Sequence, residues 1–228
     1  MQVREAVTKR SSTRAFLNEP VPAHTVEDLI EAAVRAPSGG NVQPWQIIAV
    51  AGREKDAVSA AALKSLLENP DGEEGDYPIY PPKLHEPYRS RRFDIGERLY
   101  ETVGIARDDK AARQQQMLQN FAFFGAPVGL FIVIDRRMGH GQWAHVGMLM
   151  QTIALLAVDA GLATCMQEAW ARVRESVRQV LGVPESHVVY CAIALGYADP
   201  AAPVNQLVSP RAPLHEILTL KGFSEAVV

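Results

Sequence analysis

Cysteine is nearly absent: the 228 residues hold two, Cys165 and Cys191, each inside an apolar stretch. That excludes a disulfide scaffold and implies reduced thiols and a cytoplasmic setting. Cys165 has no base beside it in the chain, so a buried inert thiol is the reading rather than a nucleophile. An excess of charge is missing too: 23 Lys and Arg against 26 Asp and Glu leave a net charge of −3. Nucleic acid and anionic membranes therefore have no electrostatic reason to bind. Residues 1–20 lack the apolar core of a signal peptide. The apolar run 121–134 is too short to span a bilayer and contains Gly-Ala-Pro; the run 144–163 is broken by His145, Gln151 and Asp159. Both suit a core or a subunit interface. Of the six histidines only His140 and His145 lie close together, five apart, so no metal is expected. No internal repeat is present.

What is there is ordinary for a globular chain: 47% hydrophobic and 21% charged residues, enough for one domain over 1–228 with a sizeable core. Helices are expected over 2–10, from Thr25 to Pro37, and over 55–67, 94–103, 109–119, 143–160 and 173–181. Strands are expected over 46–51, 128–134, 162–166 and 188–195. Thr25 with Asp28 resembles a capping box. The helix at 143–160 is apolar around much of its circumference, which suits a central helix or one shared with a second subunit. Residues 69–93 form a variable segment near a site mouth, with Asp71, Glu73, Glu74 and Asp76 read as a solvated acidic cluster. From 197 to 228 a Pro-rich extension runs toward a surface it must cover.

Residues 36–45, Ala-Pro-Ser-Gly-Gly-Asn-Val-Gln-Pro-Trp, carry no charge. Pro37 and Pro44 stiffen the backbone, Gly39 and Gly40 let it approach a ligand closely, and Ser38, Asn41 and Gln43 offer compact hydrogen-bonding groups. A plain helix-to-strand connector is the alternative. In Arg10-Ser11-Ser12-Thr13-Arg14, two rigid donor forks flank hydroxyls and suit a phosphate; alternatively the cations complement a helix C-terminus. Arg211 is a third such arginine, or a solvated one in a Pro-rich tail. Gly139-His140-Gly141-Gln142-Trp143-Ala144 matches the letters of a dinucleotide fingerprint. Asp135 to Met138 intervene after the strand, so the tight turn that motif needs is not there, and the match is rejected. Tyr80, Tyr88, Arg89, Arg91, Arg92 and Phe93 interleave aromatics and cations, as a pocket for an aromatic anion or as an exposed helix start.

In this order the motifs resemble the nitroreductase family of FMN-dependent enzymes from residue 4 to about 218. Lys9 to Phe16 is similar to the family's N-terminal phosphate motif, Ala36 to Trp45 to its flavin-contacting loop, and Gly161 to Trp170 to the segment beside the flavin ring. Leu181-Gly182-Val183-Pro184 and Ala194-Leu195-Gly196-Tyr197 match later landmarks, and Arg211 stands at the C-terminal phosphate arginine. Asn120 to Pro127 and the Gly-Gln-Trp turn most resemble the nitrobenzoate-reductase-like branch. The resemblance implies an α+β fold, a mixed sheet flanked by helices, in an intertwined homodimer with FMN at the interface. It implies cofactor contacts at Arg10, Ser11, Ser12, Arg14, Pro37, Ser38, Gly39, Asn41, Gln167, Glu168, Ala169 and Arg211, with the loop residues serving the other subunit's flavin. Ala169 stands where relatives often have glycine, and Ser209 where some carry lysine. Phe123, Phe124, Trp143 and Arg92 are the expected substrate contacts.

The implied activity is NAD(P)H-dependent reduction of nitroaromatics, nitrobenzoate-like, by ping-pong hydride transfer through flavin N5. No protein nucleophile is required, and Arg14 is the cation expected to stabilise the reduced flavin. The same fold also admits another acceptor (a quinone, enone, halogenated aromatic or free flavin) or a flavin-binding protein without turnover, in which residues 69–93 would plug the ring face.

Overall fold

The computed structural model describes residues 1–75 and 77–223. Its centre is a four-stranded antiparallel sheet in the order β1-β2-β4-β3, made of β1 (Trp45–Ala51), β2 (Val128–Asp135), β3 (Ala163–Gln167) and β4 (His187–Gly196). In β2 every residue from Val128 to Ile134 is buried, as a strand covered on both faces must be. Val128, Leu130, Ile132 and Ile134 point to one core with Cys191, Ile193 and Leu195; Phe131 and Val133 point to the other with Val189, Ala192 and Ala194. The alternation in β4 slips at Tyr190. Ile132 pairs with Cys191 but Val133 with Val189, so Tyr190 is the extra residue of a β-bulge.

Helices α2 (Ala23–Ala33) and α6 (His140–Asp159) cover the first face, and α3 (Gly52–Glu68) and α7 (Arg174–Val180) the second. The short α1 (Val3–Lys9) lies against α6. Outside this body run α4 (Tyr88–Thr102), α5 (Lys110–Leu118) and the tail helix α8 (Leu214–Ile217). On α6 the buried stripe is Val146, Leu149, Met150, Ile153, Ala154 and Ala157, while Ala144, Gly147, Met148 and Gln151 face outward. No described helix is long and apolar enough to cross a membrane.

Three local expectations are corrected. Helix α2 starts at Ala23 with Pro22 as its cap: the Pro22 carbonyl already accepts from the N–H groups of Thr25 and Val26, so Thr25 is inside the first turn and builds no capping box. Helix α4 starts six residues before the expected Asp94, so Arg89, Arg91 and Arg92 are helical. Glu73 is not a solvated acid. Its carboxylate accepts from the Ser65 and Ser176 hydroxyls and from the N–H groups of Glu175 and Ser176, capping α7 from a distant segment. Asp76 lies outside the described residues.

Candidate active site

The segment after α1 is drawn along the sheet. Ser12 bridges to Thr164, the Thr13 N–H donates to the Thr164 carbonyl at 3.0 Å, and the Leu17 N–H donates to Tyr197 at 2.9 Å. Extended pairing with β3 turns alternate side chains outward, so buried Thr13 is flanked by the accessible Ser12 and Arg14. After β4 the chain doubles back over this segment. The Asp199 N–H donates to the Ala15 carbonyl at 3.0 Å, and the stretch 205–211 then passes Arg10 and Arg14.

Between the two lies a cavity of about 480 Å3 lined by Arg10, Ser11, Ser12, Arg14, Asn205, Ser209 and Arg211 among others. No carboxylate among the described residues lines it. Lys9 at its rim is paired with Glu5 at 2.8 Å. The Arg14 guanidinium donates to the Ser12 carbonyl (3.3 Å) and that of Arg211 to the Ser209 and Pro210 carbonyls (2.8 and 3.0 Å). Three guanidinia with hydroxyls between them, and no competing anion among the described residues, form a donor set suited to a phosphate monoester. Residues 191 positions or more apart in the chain, read separately in the sequence, thus meet in one place.

At the end of β3 the sequence expectation needs division. The Gln167 side chain is buried: its Nε2 donates to the Asn120 carbonyl at 2.7 Å and its Oε1 accepts from the Trp170 indole at 3.4 Å. As a side chain it belongs to the core and not to a cofactor site. Glu168 opens the 3₁₀ turn Glu168–Val173, and desolvation there raises its carboxyl above the ordinary carboxylate range, partly offset by Arg174. Ala169 is half-buried beside it.

The loop 36–45 sits elsewhere on the protomer. Its turn Gly39–Asn41 rests on the start of α6, where the Gly39 N–H donates to His145 Nε2 at 3.2 Å. His145 Nδ1 lies 3.0 Å from Gln142 Oε1, an acceptor, so Nδ1 carries the proton and Nε2 is free to accept. Asn41 and Gln43 take left-handed φ values of 54° and 50°, and the Gln43 N–H is held by Ser38 Oγ at 3.0 Å. Ser38, Gly39 and Asn41 do not line the arginine cavity of their own chain.

The four expected substrate residues are not brought together. Phe123 and Phe124 are core side chains, 0% and 7% exposed, which corrects their assignment to a substrate pocket. A turn with left-handed φ at both positions rolls the Phe123 ring inward against Phe131 and Trp170. Trp143 stacks among Tyr77, His140 and Tyr190 and borders a cavity of about 330 Å3 with Met138 and Val188. Arg92 lies 4.1 Å over the Tyr80 ring at a separate cavity of about 580 Å3 with Lys83, Arg89, Phe93 and Tyr100. Arg89 and Arg91 are already matched by Glu86 (2.7 Å) and Glu216 (2.6 Å). Burial pushes the Cys165 thiol up to about 11 and Cys191 up to about 12, so both are inert, as their apolar surroundings suggest.

Two residues that sequence reasoning missed hold these pieces in place. Asn205 joins the tail to the arginine segment and His145 anchors the Gly39 turn. For Asn205 the chain offers no local signal. For His145 the spacing from Gln142 on one helix face was available.

The model of the nitroreductase family matches residues 7–197. The chain belongs to the nitroreductase family. Among relatives of this nitroreductase, nitrobenzene nitroreductase of Ectopseudomonas oleovorans is 34% identical over 215 residues, covering 94% of this chain and 95% of that one. The 4-nitrobenzoate reductase of Pseudomonas putida is 36% identical over 217 residues, covering 95% and 94%. Among solved structures, the FMN and NADPH-dependent nitroreductase NfnB of Sphigopyxis sp. strain HMH superposes with a TM-score of 0.96 at 44% identity, covering 98% of this chain and 100% of that one.

Proposed function

We propose that this chain is an FMN-dependent NAD(P)H oxidoreductase that reduces nitroaromatic compounds, and that it works as a homodimer in the cytoplasm. The observation that carries the cofactor is the cavity of about 480 Å3, lined by no carboxylate among the described residues, where Arg10, Arg14 and Arg211 converge with Ser11 and Ser12. Arg10, Ser11, Ser12 and Arg211 hold the phosphate. Arg14 keeps a fixed positive charge in the same cavity, and a cation there favours the more negative, reduced cofactor. Backbone N–H groups at Glu168 and Ala169 would be offered to the ring of a bound FMN. Bound FMN supplies the redox chemistry, which is why the chain needs no nucleophile of its own.

The homodimer is supported by two features. The outward face of α6, with Ala144, Gly147, Met148 and Gln151, carries no charge and is mostly small and apolar, and Met148 is 45% exposed. The loop residues Pro37, Ser38, Gly39 and Asn41 lie outside the arginine cavity of their own chain, with the turn held by hydrogen bonds at Gly39 and Ser38, and in a dimer they would be available to the partner's FMN. Arg92, without a carboxylate partner among the described residues, is the arginine of its segment best suited to an aromatic carboxylate such as a nitrobenzoate.

The test is an anaerobic titration of purified protein. We expect yellow protein whose flavin bands bleach with NADPH or NADH and return on adding 4-nitrobenzoate or nitrobenzene. A colourless protein that gains no colour on incubation with FMN overturns the reading; bands that neither donor bleaches leave a flavin-binding protein without turnover.

A further inference from the structure

The cradle for the phosphate is made of two strands of chain that are covalently remote. Arg10 to Arg14 come from the N-terminal segment, and Ser209 and Arg211 come from the tail after β4. The guanidinium of Arg211 spends its hydrogen bonds on the Ser209 and Pro210 carbonyls of its own turn, so these bonds do not tie it to Arg10 or Arg14. Something else must set the distance between the two halves.

Asn205 lies at the seam. Its Oδ1 accepts from the Arg14 backbone N–H at 2.8 Å, and its Nδ2 donates to the Ala15 carbonyl at 2.8 Å and to the Asp199 carbonyl at 2.9 Å. The acceptor meets a donor and the two amide hydrogens meet two carbonyls, so the orientation of the side-chain amide is determined by its partners. Both of its donors are spent on backbone. Asn205 therefore lines the cavity without being free to bind what enters it. Its bonds grip the backbone on either side of the Arg14 Cα and fasten the tail to that point, six residues before Arg211.

We propose that Asn205 is the positioning residue of the cradle: it holds the arginines of the two segments at the spacing a phosphate requires, and so gives the site its preference for a phosphorylated flavin over the same flavin without phosphate. This rests on the reading of the arginine cavity as the FMN phosphate site. No residue of similar size reproduces all three bonds. Aspartate keeps the acceptor for Arg14 but loses both donors and adds a negative charge beside the phosphate, and alanine loses everything.

The test strips the flavin from the protein and measures the affinity for FMN and for riboflavin by quenching of flavin fluorescence. Asn205→Ala is expected to lower the FMN-to-riboflavin affinity ratio by about tenfold, the loss of one to two net hydrogen bonds, with riboflavin binding unchanged. The isosteric Asn205→Asp is expected to shift the ratio the same way and keeps the question open to measurement if the alanine variant does not fold. An unchanged ratio, or an equal weakening of both flavins, overturns the proposal, because a merely structural residue would do one or the other. Arg10→Ala and Arg211→Ala separate the two levels of the argument. If these leave the ratio at its wild-type value, the cavity is not the phosphate site. If they lower it and the Asn205 variants do not, only the role of Asn205 falls.

Discussion

The ring of Phe123 occupies the space that a side chain at Gly129 would need: a Cβ there would come within 2.4 Å of it. The same ring lies 4.7 Å from Trp170 and 5.7 Å from Phe131 by centroid, in a cluster where all three aromatic residues are fully buried. Removing such a ring from a close-packed core leaves a cavity the surroundings refill only in part. Phe123→Ala should cost about 3–5 kcal/mol of stability, and Gly129→Ala about 1–3 kcal/mol by overpacking, both read from urea unfolding midpoints. A Phe123→Ala protein of wild-type stability with only its KM for a nitroaromatic raised would return Phe123 to the substrate pocket. Aromatic residues in sequence do not say which way they face. Here the decision lies in the left-handed backbone at Phe123 and Phe124, which no residue type in the stretch announces.

Helix α7 owes its start to a residue a hundred positions earlier. It is only seven residues long and its own cap, Val173, has no side-chain acceptor. Glu73 supplies one, placing a carboxylate against the exposed N–H groups of the first turn, where the helix dipole favours negative charge. The bond works both ways, since the Glu73 N–H donates to the Arg172 carbonyl at 2.7 Å and Arg172 reaches the Pro70 carbonyl. Glu73→Ala should therefore destabilise the protein by about 1–3 kcal/mol and speed amide exchange in both residues 69–75 and the first turn of α7. Faster exchange in only one of the two would show that the segments are not coupled through this carboxylate. The elements themselves were legible in advance, because alternation and helical spacing of apolar residues survive any tertiary detail. Their starts were less so: Pro22 displaced Thr25 as the cap of α2, and the six residues added to the front of α4, Tyr88 to Phe93, are all exposed and carry no periodic apolar signal.

At the scale of the molecule, five of the twelve proposed cofactor contacts (Arg10, Ser11, Ser12, Arg14 and Arg211) line a cavity of one chain, and four more (Pro37, Ser38, Gly39 and Asn41) sit on a loop outside it. A shared site predicts coupling between assembly and cofactor. On dilution, the loss of dimer seen by light scattering should parallel the loss of bound FMN, and a monomer that retains its FMN fully would break the scheme. Acid should also weaken the fold in a defined window. Hydrogen bonds from Arg178 and then Gln179 bring the Glu175 carboxyl down from 4.5 to about 2, Arg113 lowers that of Glu97, and Arg137 holds Asp135 far below its usual range. A lowered folded-state value means that the folded form binds fewer protons than the unfolded one, so the stabilisation is complete above the ordinary carboxylate range and is lost as pH falls through the folded values. The expected urea midpoint is level above about pH 5 and declines toward pH 2. Each pair is solvent-accessible and contributes little singly, so Glu175→Gln should flatten the decline slightly rather than abolish it.

By itself the sequence determined the elements, the family and the chemistry of the proposed cofactor anchor. Apolar spacing is a local property, and guanidinium, hydroxyl and glycine carry their chemistry wherever the chain places them. Only the tertiary structure decided which of these groups share a site. Arg10 and Arg211 meet because the tail folds back and Asn205 clamps it, while Phe123 is withdrawn into the core by the turn it occupies and the Gln167 side chain by the inward face of β3. Distance through space is set by how remote segments pack and hydrogen-bond, and that is a relation between residues which no one stretch of sequence contains.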